Sequence, residues 1–156
     1  MRKIFLTFFY TGLSPKAPGT VGSFAALLLA LVILNYFPID TLFLLTILIS
    51  VVAIKEINRY EKDTNTHDDK SIVIDEVVGQ WLALCIASAN PFQIILSFIY
   101  FRAFDIYKPS IIGRVDRDVK GGLGVVGDDL LAGMFAGICS AGSWKIYIEF
   151  IVPLII

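Results

Sequence analysis

Long uncharged apolar runs alternate with charged blocks along this chain. Residues 24–54 carry a single charge, Asp40, and residues 77–101 carry none. Both runs exceed the roughly 20 apolar residues that span a bilayer. A third run, from Leu130 to Trp144, continues to Ile156 with Lys145 and Glu149 as its only charges. The first run breaks at Asn35-Tyr36-Phe37-Pro38-Ile39-Asp40 and the second at Asn90-Pro91, where the residue before proline resists helix. Each therefore reads as a helical hairpin. Arms of about 13 to 16 residues reach roughly 20 to 24 Å, short against a hydrocarbon core of about 30 Å. Gly142-Ser143 leaves two readings of the last run, a third turn or one long helix. Gly133, Gly137 and Ala141 recur every four positions in it, a spacing that lets helix backbones approach closely. With no repeat, low-complexity tract or Ser/Gly linker, the pattern predicts an all-α integral membrane bundle of short hairpins forming one domain, residues 1–156.

Composition agrees with that class. Of 156 residues, 56% are hydrophobic and only 17% charged, against about a quarter charged in soluble domains. The charged blocks are the start through Lys16, Lys55 to Glu76, and Arg102 to Asp129. Hairpins that cross and return leave all three on one face, with twelve of the thirteen Lys and Arg residues. The positive-inside rule makes that face cytoplasmic, which predicts a multi-pass protein of the inner (cytoplasmic) membrane. Arg2 and Lys3 precede a short apolar run, but Gly12, Ser14, Pro15 and Lys16 interrupt it without a small-residue cleavage site, so a cleaved signal peptide is not expected. Cys85 and Cys139 lie in apolar segments without metal or redox spacing. A net charge of −1, with basic and acidic residues interspersed, argues against nucleic-acid binding.

Five carboxylates, Asp75, Glu76, Asp105, Asp128 and Asp129, stand at the edges of the apolar runs. Oxygen ligands there suit a hard cation such as Mg²⁺, which commonly binds substrate phosphates through one or two acidic side chains. Each group also has a plain structural reading. Asp75-Glu76 fits an acidic first helical turn, and Arg102 with Asp105 fits an ion-paired helix end stopped at Lys108-Pro109. Asp128 fits an N-cap, but one aspartate suffices for a cap, and the second at a membrane border calls for a function. Lys120-Gly121-Gly122-Leu123-Gly124 offers a turn or a phosphate-approaching backbone, and Lys16, Thr20 and Ser23 could contact an anion, with Ser23 otherwise a helix cap. His67 and the aspartates after it sit in a solvated block. The calcium loop, the P-loop, the haloacid-dehalogenase motif, the cysteine phosphatase motif and the serine-hydrolase elbow are all absent.

Four ordered strings, GLSPKAPGTVGS (12–23), HDDKSIVIDEVVG (67–79), FRAFDIYKP (101–109) and VDRDVKGGLGVVGDDLLAG (115–133), resemble those of the phosphatidylglycerophosphatase A family. The resemblance implies a magnesium-dependent membrane enzyme that removes the terminal phosphate of phosphatidylglycerophosphate to give phosphatidylglycerol. Asp75, Glu76, Arg102, Asp105, Lys108, Asp116, Arg117, Asp128, Asp129, His67 and Asp68 occupy matching positions. Ile111 departs from the pattern, which has proline there.

On this reading Asp75, Glu76, Asp105, Asp128 and Asp129 hold Mg²⁺, and Asp75, Glu76, Asp105, Asp129 and His67 form the catalytic set. Arg102, Lys108, Lys16, Lys120 and Arg117 hold the phosphorylated headgroup, while the acyl chains stay in the bilayer. The rival from another class, a small cation transporter or channel subunit, would need ligands near the membrane midplane, whereas these acids cluster at one predicted face. A CDP-lipid transferase would need the Asp-Gly-x2-Ala-Arg signature, which is missing.

Overall fold

The computed structural model describes residues 1–66 and 69–155, and among these there are helices and turns but no strand. A short α1 (Arg2–Leu6) and a 3₁₀ turn (Thr11–Leu13) lead into α2 (Pro18–Tyr36) and α3 (Ile39–Thr64). Then follow α4 (Ile74–Ala87), α5 (Pro91–Tyr107), α6 (Ile111–Asp118) and α7 (Gly122–Ile146), continued by a π-helical turn (Tyr147–Ile151) and α8 (Val152–Ile155). The breaks fall where proline forbids continuation: Pro38 precedes α3, and Pro91 opens α5 with Asn90 capping it through a hydrogen bond accepted from the Gln93 N–H.

α4 and α7 form the centre, and each of α2, α3 and α5 packs against one or both of them. α2 and α3, though consecutive, touch each other little. The α4–α7 approach depends on glycine at both surfaces: a Cβ on Gly133 would overlap the carbonyl oxygen of Gly79, and one on Gly79 would meet the Phe101 ring and the Asp129 carbonyl. Gly137 likewise faces Ala83 and Ile86. The small-residue spacing therefore serves packing within the chain. No turn forms at Gly142-Ser143, since α7 runs through both residues.

Helix lengths exceed the expected arms in places. α3 has 26 residues and continues well past its apolar run, so that Glu56, Asn58, Tyr60 and Glu61 ride on its extension. α4, with 14 residues, is about 21 Å long and too short to span a bilayer. Two stretches, Pro18–Tyr36 and Gly122–Ile151, are long and apolar enough to cross one. Their outward faces, and that of α3, present large apolar side chains such as Phe24, Leu28, Val32, Leu44, Leu48 and Ile138.

The glycine cluster before α7 acts as a helix start. Gly121 turns the chain at φ +71°, and the Gly122 N–H donates to Asn58 Oδ1 at 2.7 Å, fastening α7 to α3. α7 thus begins six residues before Asp128, and Asp128 is not its cap. Ser23 is also no cap: α2 starts at Pro18, and the Ser23 hydroxyl lies inside the helix, donating to the Gly19 carbonyl at 2.7 Å.

Candidate active site

The second and third charged blocks and the start of α2 meet around a cavity of about 480 Å³. Its wall carries eight carboxylates and three basic side chains, Lys70, Arg102 and Lys108. Such an imbalance repels an anionic ligand unless cations join it. Asp75 and Glu76 enter from the first turn of α4, Arg102, Asp105 and Lys108 from the end of α5, Asp116 from α6, and Asp128 and Asp129 from the second turn of α7.

Six of these acids, all but Glu61 and Asp69, sort into three groups. Arg102 Nη1 lies 2.5 Å from Asp105 Oδ2 and 4.0 Å from Glu76 Oε1, and it also donates to the Ser23 hydroxyl at 3.1 Å. Lys108 Nζ lies 2.5 Å from Asp116 Oδ1 and 2.6 Å from Asp128 Oδ2. The third group has no such partner at close range: one carboxylate oxygen each from Asp75, Glu76 and Asp129 lie within 4.8 Å of one another. Asp75 Oδ1, Glu76 Oε2, Asp128 Oδ1 and Asp129 Oδ1 are buried without a hydrogen bond among the described residues, as is Arg102 Nε.

Buried carboxylate oxygens without donors are costly. Burial, then the neighbouring Glu76, raises the Asp75 carboxyl well above its ordinary value. Burial and the Asp129 charge push Glu76 up to about 8, with Arg102 pulling the other way. For Lys108, burial alone would lower the ammonium, but Asp116 and Asp128 together raise it well above the usual lysine value. Carboxylates crowded to this degree suit a hard divalent cation, whose oxygen ligands they match in kind. Glycine shapes the opposite wall: a Cβ on Gly19, in the first turn of α2, would overlap Glu76 Oε1.

The chain matches the family model for phosphatidylglycerophosphatase A over residues 4–144. It is 37% identical to phosphatidylglycerophosphatase A of Escherichia coli (strain K12) over 132 residues, 83% of this chain and 76% of that protein. The Haemophilus influenzae phosphatidylglycerophosphatase A is 35% identical, covering 83% and 80%. This chain belongs to the phosphatidylglycerophosphatase A family, a family of phosphatases. A putative phosphatidylinositol-3-phosphatase of Bacteroides thetaiotaomicron is 34% identical over 86% of this chain and 88% of its own length. No solved structure matches the chain.

Of the residues singled out in the sequence, Asp75, Glu76, Arg102, Asp105, Lys108, Asp128 and Asp129 all line the cavity. Asp105 and Asp128 sit there already paired with basic side chains. The remaining proposed headgroup contacts lie elsewhere. Lys16 is exposed and outside the wall, although the adjacent Ala17, Pro18, Gly19 and Thr20 belong to it. Arg117 turns outward to Asp118 at 2.8 Å, and Lys120 donates to the Arg117 carbonyl at 3.4 Å. His67 lies outside the described residues. Sequence reasoning did not select Lys70, Glu61 or Asp69 as wall residues. Nor did it select Gln80, fully buried one turn beyond Glu76 with neither amide atom hydrogen-bonded. A polar amide inside an uncharged apolar run was the available signal for Gln80; the others are ordinary members of a charged block.

Proposed function

We propose that this protein hydrolyses phosphatidylglycerophosphate to phosphatidylglycerol and phosphate, with Mg²⁺ held by Asp75, Glu76 and Asp129. The observation that carries the reading is the meeting of these three donor-less carboxylates beside Arg102 in one cavity, in a chain of this phosphatase family. Bound there, the metal would supply neutralising charge and activate and orient the attacking water. The chain's own residues do the rest. Arg102, held by Asp105 and Ser23, keeps its Nε–H free to donate to a phosphate oxygen. Lys108 adds a second positive charge at the rim, and His67 is the proposed proton donor to the departing glycerol oxygen.

The acyl chains remain in the bilayer, because each exposed CH₂ costs about 0.8 kcal/mol. The outward apolar faces of α2, α3 and α7 support a membrane-embedded body. The concentration of Lys and Arg at the cavity end supports a multi-pass orientation with the site at the cytoplasmic surface of the inner membrane.

The test is phosphate release from phosphatidylglycerophosphate in mixed micelles by purified protein. Activity should require Mg²⁺, vanish with EDTA, and fall about a hundredfold or more in Asp75→Asn and Asp129→Asn. Undiminished activity under EDTA would defeat the metal reading. Likeness to the putative phosphatidylinositol-3-phosphatase favours a second reading, a lipid phosphatase with an inositol headgroup. Phosphatidylinositol 3-phosphate in the same assay decides between the two.

A further inference from the structure

We propose that the site takes a single divalent ion, and that Lys108, fixed between Asp116 and Asp128, occupies the place where a two-ion site would hold its second. The inference rests on the metal-phosphatase reading above. Two-metal phosphatases keep their ions about 3.5–4 Å apart between shared carboxylates, so two neighbouring acid groups would ordinarily suggest two ions. Here two of the three groups already contain a cation that belongs to the chain itself. Asp105 has the Arg102 guanidinium at 2.5 Å. Asp116 and Asp128 share the Lys108 ammonium at 2.5 and 2.6 Å. Among the described residues, Asp75, Glu76 and Asp129 are the group that brings oxygens together with no side-chain nitrogen closer than the 4.0 Å between Arg102 and Glu76.

Lys108 is built into that place. It ends α5 in the left-handed region, at φ +43°, with its N–H donating to the Phe104 carbonyl at 2.8 Å. From there its side chain reaches both α6 and α7, so three helix ends close on one ammonium. A divalent ion could enter between Asp116 and Asp128 only by displacing the ammonium that pairs with both. Asp128, 3% exposed, uses Oδ2 for this pair while Oδ1 stays without a partner. It therefore has spare acceptor capacity, which a second ion would use once the lysine was gone. A fixed ammonium provides charge toward a phosphate oxygen without a coordination shell to be filled from solution.

The experiment counts Mn²⁺ ions bound to the full-length protein in detergent micelles, by titration calorimetry and by electron paramagnetic resonance. The wild type should bind one ion per chain and give the six-line spectrum of an isolated Mn²⁺. Lys108→Gln should bind two, with the spectrum broadened by coupling between neighbours. Asp75→Asn should bind none, whereas a two-ion site would retain one, so the answer stands even where Lys108→Gln fails to fold. Two ions on the wild type, or one on folded Lys108→Gln, would overturn the proposal and leave the metal-phosphatase reading in place. No ion on the wild type would overturn both.

Discussion

Gly19 fixes where the Glu76 carboxylate ends, because the space a Cβ would fill is already taken by Glu76 Oε1. Gly19→Ala should therefore leave the fold standing and move a carboxylate. Misplacing one group in a site by about 1 Å can cost on the order of 10²-fold. We expect phosphate release to drop about 10- to 100-fold with a melting temperature close to wild type; a large fall in melting temperature with unchanged specific activity would contradict this. A second residue effect depends on pH. The Tyr60 hydroxyl donates to Asp69 Oδ2 at 2.6 Å and the Ser71 N–H to Oδ1 at 2.9 Å, which hold Asp69 below the ordinary aspartate value of 3.8. Since the folded value is the lower one, this stability is present above 3.8 and lost as pH falls through the folded value. Tyr60→Phe should cost about 0.5–1 kcal/mol at pH 7, at the low end because solvent screens the pair. The difference from wild type should shrink towards pH 3 in denaturation curves. The border acids were legible in the sequence because an acid beside an uncharged run has few uses. Lys16, Arg117 and Lys120 do not line the cavity, and rotation about a helix or loop axis, which decides where a side chain points, leaves no mark in a charged block.

At the scale of elements, the site depends on how closely α4 and α7 approach, since Asp75 and Glu76 ride on one and Asp129 on the other. Gly133 meets Gly79 through backbone, which cannot rotate away as a side chain can. Gly133→Val should force the helices apart, costing about 1–3 kcal/mol by overpacking and lowering Mn²⁺ affinity together with activity. Thermal unfolding in detergent and the calorimetric titration measure the two; loss of stability with unaltered metal affinity would show that the acids do not depend on this contact. Element ends were legible at Pro38 and Pro91, where a missing N–H and a steric clash set the boundary. The start of α7 was not. Gly121 and Gly122 look like a turn in sequence, and only the Asn58 side chain from α3, 64 residues away, makes them a docked helix start. The same long-range fastening turns Asp128 from a cap into a wall residue.

For the whole molecule, the decisive quantity is which way the charged end faces. α2 and α7 have the length and composition to cross a bilayer, and α3, at 26 residues, is about 39 Å long against a core of about 30 Å. Its surplus lies at the charged end, so Lys62 should stand clear of the hydrocarbon while Phe37 and Ala89, in the exposed turns after α2 and α4, lie towards the opposite end. A lipid phosphatase with twelve of its thirteen Lys and Arg residues in the three charged blocks should keep those blocks in the cytoplasm, since moving those charges outward opposes the insertion bias. Single cysteines at positions 37, 62 and 89, in a background with Cys85 and Cys139 changed to alanine, make this measurable. In intact cells with a permeable outer envelope, a membrane-impermeant maleimide should label position 37 and spare position 62, and lysis should release labelling at 62. Position 89 lies two residues beyond the short α4, about 21 Å long, so its labelling reports whether that helix reaches the far surface or stops within the bilayer among its neighbours. Labelling of position 62 from outside would invert the orientation.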